Sequence, residues 1–194
     1  MALLEKPIAL TPAGGGGLCI GPDALQAADI LVSTTRAAVS GVIRAGTDSE
    51  VSHAALYDGY GEVIEAIGKG VTSHKIDLAI ADDALVVAYR SPNITDEKAA
   101  RIIDYATHQI GKPYSVAGAL LSTDKILCRV LGPRPASFFC SQLVFEAYRR
   151  GGLPLTTAPS QCVTPADAAI IAQSQLTYVG HLLGDPAWFP VVAP

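Results

Sequence analysis

Ser52-His53-Ala54-Ala55-Leu56-Tyr57-Asp58-Gly59-Tyr60-Gly61-Glu62-Val63-Ile64-Glu65-Ala66 is the stretch from which the fold is read. Residues 52–58 and 62–67 are two β-like runs, and the glycine-rich turn Asp58-Gly59-Tyr60-Gly61 joins them into a hairpin. Centred on Gly59, that hairpin sets His53 directly opposite Glu65 on one face, with Cβ atoms about 4.5–5.5 Å apart. Glu65 then holds one imidazole nitrogen, fixes the tautomer and raises the basicity of the other nitrogen. The pairing depends on register, because a slip of one residue puts the two side chains on opposite faces. Taken alone, the hairpin reads first as a solvated cross-strand His/Glu pair.

Working outward, Ala28-Asp29-Ile30-Leu31-Val32-Ser33 reads as a strand leading into a short helix near Arg36–Ala45, and Ala84–Tyr89 as another strand. Thr95 offers an N-cap to a helix with Asp96 and Glu97 in its first turn and Ala99, Ile103, Ala106 and Ile110 on one face. Gly111 and Pro113 stop it. A second helix is expected to start near Ser137, run through Phe139, Leu143 and Ala147, and end at Gly151-Gly152. Thr164 and Pro165 open a third as N-cap and first helical residue. Leu176–Val179 reads as a last strand. These elements imply an α+β class, with helices packed on a small antiparallel sheet. The expected division is an arm over residues 1–27, carrying the Gly-rich segment 11–17, and one domain over 28–194.

Composition limits the function classes. A chain of 194 residues with 49% hydrophobic and 16% charged residues can bury a sizeable core. Fourteen Lys and Arg against eighteen Asp and Glu give a formal charge of −4, which excludes a strongly basic nucleic-acid binder. Mean hydropathy is +0.33, yet no apolar run reaches the roughly 18 residues of a membrane span. Glu5, Lys6 and Pro7 interrupt the apolar N-terminus, so no ordinary secretion signal is expected and the thiols begin reduced.

Four cysteines, Cys19, Cys128, Cys140 and Cys162, are too few for a disulfide-dense scaffold, and no C-x-x-C pair or histidine cluster suggests structural zinc. Cys140 differs from the rest by its place in the first turn of an amphipathic helix, after Phe138-Phe139. Unpaired N–H groups and the helix dipole there favour a thiolate and can hold an oxyanion. Alone, a lone cysteine reads first as buried core. Cys140, His53 and Glu65 together make a nucleophile, a base and an orienting group.

At these residues the chain resembles the NlpC/P60 superfamily of papain-like cysteine hydrolases. Gly111-Lys112-Pro113-Tyr114-Ser115-Val116-Ala117-Gly118 and Phe139-Cys140-Ser141-Gln142-Leu143-Val144 look like its first block. Asp29-Ile30-Leu31-Val32, Ser52-His53-Ala54-Ala55-Leu56-Tyr57 and Val63-Ile64-Glu65-Ala66 look like its second. The blocks stand in reversed order, the arrangement of the circularly permuted branch with the YiiX/YaeF-like proteins and the lecithin–retinol acyltransferase relatives. The resemblance implies a papain-like fold with Cys140 as nucleophile, His53 as general base, Glu65 as orienting residue and Tyr114 lining the site near the oxyanion. Phe139 stands where unpermuted members often have Asp, and Gln142 where they have Gly.

The function that follows is a thiol hydrolase forming a thioester acyl-enzyme, with no metal or organic cofactor. Peptidoglycan stem-peptide amides are the first substrate class, and an enzyme without a signal would reach them by a specialised export route to the periplasm, as an antibacterial effector with a cognate inhibitor protein. A lipid acyl ester is the second class, toward which Phe138-Phe139 lean. A binding module without activity is the third reading. Of the other residues, His74 reads as a solvated loop histidine, His108 as a polar surface one, and His181 has no evident partner. Cys19, Cys128 and Cys162 read as structural or incidental, with a Cys128–Cys162 bridge left open for an oxidising space.

Overall fold

A computed structural model describes residue 10 and residues 17–35, 51–131 and 136–184. The helix expected near Arg36–Ala45 and most of the Gly-rich segment lie outside them. The strands are β1 (Ile30–Thr35), β2 (His53–Tyr57), β3 (Glu62–Ile67), β4 (Gly70–Lys75), β5 (Asp83–Arg90) and β6 (Thr177–Leu183). The helices are α1 (Ile76–Ala79), α2 (Asp96–Thr107), α3 (Val116–Leu121), α4 (Leu127–Leu131), α5 (Cys140–Arg150) and α6 (Pro165–Gln175), with 3-10 turns at Pro22–Ala24 and Ser160–Cys162. The strands form one sheet in the order β4-β3-β2-β1-β5-β6, antiparallel throughout. The class is α+β, as expected.

Alternation along the central strands decides the two faces of the sheet. Ile30 and Val32 of β1, Ala54 and Leu56 of β2, Ile64 and Ala66 of β3 and Val87 and Tyr89 of β5 point to the main core. There they meet Leu143, Val144, Ala147 and Tyr148 of α5, with Ile102 of α2 and Ala168, Ala169 and Ala172 of α6. Leu31, Ala55, Tyr57, Val63, Val86 and Ala88 form a smaller cluster on the other face, closed by Leu25 and Ile76. Burying each large apolar side chain contributes about 1.5–3 kcal/mol, so the packed face of α5 dominates over any cap in holding that helix.

The two capped helices begin where the sequence places them. Thr95 accepts from the Lys98 N–H at the start of α2. At α6, Thr164 and Asp167 form a reciprocal capping box with Pro165 at the first turn, worth about 1 kcal/mol. The start of α5 differs from expectation. Residues 137–139 are not helical, because Phe138 lies extended beside Tyr114: the Ser115 N–H donates to the Phe138 carbonyl at 2.8 Å, and the Phe138 N–H to the Pro113 carbonyl at 3.1 Å. Phe139 is therefore the N-cap residue, without a side-chain cap, and Cys140 is the first residue of the helix.

Polar contacts pin the ends of β1 and the chain segments around it. Buried Asp29 receives a two-pronged interaction from Arg90, Nε to Oδ1 at 2.8 Å and Nη2 to Oδ2 at 2.6 Å. The Tyr148 hydroxyl donates to the Ala28 carbonyl, and the Tyr89 hydroxyl to the carbonyl of buried Leu10. Residues 18–20 run alongside β6, through Ile20 N–H to His181 O and His181 N–H to Leu18 O.

Candidate active site

The hairpin register is two pairs away from expectation. β2 and β3 pair Leu56 with Ile64 and Tyr57 with Val63, which centres the turn on Tyr60 rather than Gly59. The reason is local: Gly59 and Gly61 both have positive φ, 94° and 99°, and flank Tyr60 symmetrically. Asp58 closes the loop by accepting from the Tyr60 and Glu62 N–H groups. This register puts Glu65 across from Ala55, with His53 on the diagonal. The shift is even, so both side chains still share one face. His53 Nε2 lies 2.7 Å from Glu65 Oε2.

Cys140 reaches the same place from α5. Its thiol lies beside the His53 ring and the backbone N–H groups of Ala54 and Ser141, all of which favour its ionised form. With Nε2 held by Glu65, Nδ1 is the ring nitrogen left for the thiol. Burial pushes the Cys140 thiol up, but the His53 hydrogen bond and charge and the two N–H donors outweigh it, so its pKa lies below the ordinary cysteine value. Burial by itself lowers the His53 pKa, yet Cys140 and Glu65 hold it well above the ordinary histidine value. Burial likewise opposes ionisation of Glu65, and the hydrogen bonds and charges of His53 and His74 reverse this to a net lowering. The three groups favour a thiolate, an imidazolium and a carboxylate in a row.

Tyr114 joins them through the Phe138 bridge described above. Its hydroxyl lies beside the Cys140 side chain, and burial, followed by the thiolate's charge, keeps the phenol protonated well above its ordinary pKa. Ser141 anchors the helix start from behind, its hydroxyl donating to the Val163 carbonyl at 2.6 Å.

His74 requires a correction. It is not on a solvated loop but on β4, across from Val63, and its Nδ1 lies 3.3 Å from Glu65 Oε1. Glu65 thus stands between two histidines, one on each carboxylate oxygen. His108 is a surface residue at the C-cap of α2, bonded to the Asp104 carbonyl. His181 is buried on β6 and meets the Tyr178 hydroxyl at 2.5 Å. Cys128 and Cys162 are joined as a disulfide with Cα atoms 5.5 Å apart, and Cys19 is free and exposed. Phe138 and Phe139 are 3% and 1% exposed, so they are core and present no apolar surface to a substrate.

The family described as permuted papain-like amidase enzymes, YaeF/YiiX, matches residues 24–161. The probable lipoprotein peptidase YaeF of Escherichia coli is 29% identical over an alignment of 197 residues, covering 83% of this chain and 72% of that protein. The crystal structure of metalloprotein YiiX from Escherichia coli superposes with a TM-score of 0.61 at 19% identity, over 82% of this chain and 98% of that one. That likeness supports the fold. Among the described residues of this chain, no three His, Cys, Asp or Glu side chains group as a metal ion's ligands would.

Proposed function

The chain belongs to the permuted papain-like amidases of the YaeF/YiiX family, a family of thiol hydrolases, and on that premise we propose that it cleaves amide bonds in peptidoglycan stem peptides through Cys140, His53 and Glu65. The observation that carries the reading is the continuous contact from the Cys140 thiol through His53 to Glu65, at 2.7 Å for the second link, placed at the first residue of a helix.

The Cys140 thiolate attacks the carbonyl carbon, and the negative charge moves to the carbonyl oxygen. The Cys140 backbone N–H, free of intrahelical partners at this position, donates to that oxyanion. Tyr114, kept protonated, supplies a second donor beside the sulfur. His53 gives its proton to the departing amine, leaving a thioester on Cys140. Water then loses a proton to His53, attacks the thioester and releases a carboxylic acid and the Cys140 thiolate, which restores the thiolate–imidazolium pair. Glu65 holds the ring in the tautomer and charge state that both steps need.

Amides are favoured over lipid esters because the two phenylalanines beside the nucleophile are buried. An oxidising, extracytoplasmic compartment is part of the reading, supported by the Cys128–Cys162 bridge and by the description of YaeF as a probable lipoprotein. Among the described residues no helix is long and apolar enough to cross a membrane. Mass spectrometry of purified muropeptides and of phospholipids, each incubated with wild-type and Cys140→Ala protein, tests the substrate class. New peptide fragments from the wild type alone support it. Lysolipids and free fatty acid, with muropeptides intact, overturn it in favour of an acyl-ester hydrolase.

A further inference from the structure

Gln142 is a polar side chain on α5 that the chemistry above does not use. Two residues after Cys140 on α5, it points about 200° around the helix from the thiol. It faces a groove of about 730 Å³ between the C-terminal end of α2, α5 and residues 156–161. Gln142 is 5% exposed, and among the described residues its side-chain amide has no hydrogen-bond partner while lining that groove. The amide lies in the wall of the groove, where it is open to an occupant.

The groove's charge indicates what that is. Lys112, Arg149 and Arg150 line it against one carboxylate, Glu146, a local excess of positive charge on a chain whose formal charge is −4. Glu146 is spread over both arginines and the Ser160 hydroxyl, while about half of each arginine side chain remains exposed. Lys112 sits over the Phe138 ring at 5.3 Å, and Arg150 over the Tyr105 ring at 5.8 Å, which pre-positions both cations toward the groove. An amide floor offers one donor and one acceptor, the complement of a backbone peptide group. Guanidinium and ammonium groups at the wall complement a carboxylate.

We propose that this groove is a second binding site, separate from the thiol, for a peptide carrying free carboxylates, with Gln142 meeting its backbone amide and Lys112, Arg149 and Arg150 meeting its acidic groups. The site needs no turnover, so it is tested on the full chain with Cys140→Ala.

Isothermal titration calorimetry with an N-acetylated hexapeptide of alternating Glu and Ala, its Gln/Ala counterpart and inorganic phosphate decides the matter. The acidic peptide is expected to bind, more weakly as salt is raised, and the neutral one at least about tenfold more weakly. Gln142→Leu and, separately, Arg150→Gln are each expected to weaken the acidic peptide about tenfold. Because Gln142→Leu lies in the helix, its melting temperature is compared with the parent, and surface Arg150→Gln keeps the test decisive if the first variant unfolds. Absence of binding, equal affinity for the two peptides, phosphate binding as tightly as the acidic peptide, or unchanged affinity in a folded Gln142→Leu protein would each overturn the proposal.

Discussion

His53 and Glu65 lie on a diagonal between β2 and β3, not directly opposite, and their side chains still meet at 2.7 Å. A long carboxylate side chain spans such a diagonal on one sheet face. The consequence is that Glu65 approaches the ring edge at Nε2 and leaves the rest of the imidazole turned toward Cys140. Glu65→Gln keeps the shape and removes the charge. Activity is expected to fall about 10- to 100-fold, with the Cys140 thiol pKa rising toward its ordinary value, as read from the pH dependence of iodoacetamide alkylation. Unchanged alkylation and turnover would remove Glu65 from the mechanism.

The pKa directions set the pH profile. Cys140 is lowered and His53 raised, so the ion pair persists between the two values. On the acid side activity falls as the thiolate takes up a proton. On the alkaline side it falls as the imidazolium loses the proton it gives to the leaving amine. A plateau across neutrality is expected for kcat/KM, with the acid limb moving upward in pH in Glu65→Gln. A profile that rises only through the ordinary range of a free thiol would contradict the pair.

His74 supports Glu65 from the far side at 3.3 Å, a longer contact than the His53 link, and its side chain is 39% exposed. A part-exposed contact of that length is worth little, about 0.5–1 kcal/mol. His74→Gln is accordingly expected to lower kcat about two- to fivefold with KM unchanged. A loss equal to that of Glu65→Gln would give His74 the larger part.

How far the site could be read in advance depended on what fixed each element. Thr95, Thr164 and Pro165 mark their helices by local chemistry that needs no tertiary partner, and those starts agree with the structure. The Cys140 helix has no such mark, and the pairing of Phe138 with Tyr114, more than twenty residues away, moves its start from Ser137 to Cys140. The hairpin register turned on which glycine centres the loop, and two glycines flanking Tyr60 gave the answer one residue later. An even shift preserved the face, which is why His53 and Glu65 were legible despite it. β4 was missed because Thr72, Ser73, His74 and Lys75 form a polar edge strand without apolar alternation. His74 was lost with it. Gln142 is plain in the sequence as a polar residue two places after Cys140, but its groove is made by α2, α5 and a distant loop.

The Cys128–Cys162 disulfide joins α4 to the turn at Ser160–Cys162, across a separation of 34 residues. Its near neighbours tie the segment to the start of the Cys140 helix: Lys125 donates to the Cys162 carbonyl and pairs with Asp167, and Ser141 donates to the Val163 carbonyl. Closing a loop of that length in the unfolded chain is worth about 3–4 kcal/mol on the chain-entropy estimate. A Cys128→Ala, Cys162→Ala protein is expected to melt at a clearly lower temperature and to lose the stabilisation that the wild type loses on treatment with reductant. Equal melting of oxidised wild type, reduced wild type and the double variant would show that the bridge does not form.

Replacing the thiol tests the core of the mechanism most directly. Wild-type and Cys140→Ala proteins are compared for kcat/KM on one purified muropeptide, with circular dichroism and melting temperature showing that both are folded. Loss of a nucleophile that forms a covalent intermediate is expected to cost about 10⁴-fold or more, with the fold intact. A folded Cys140→Ala protein that cleaves the same bond within about tenfold of the wild type would contradict it.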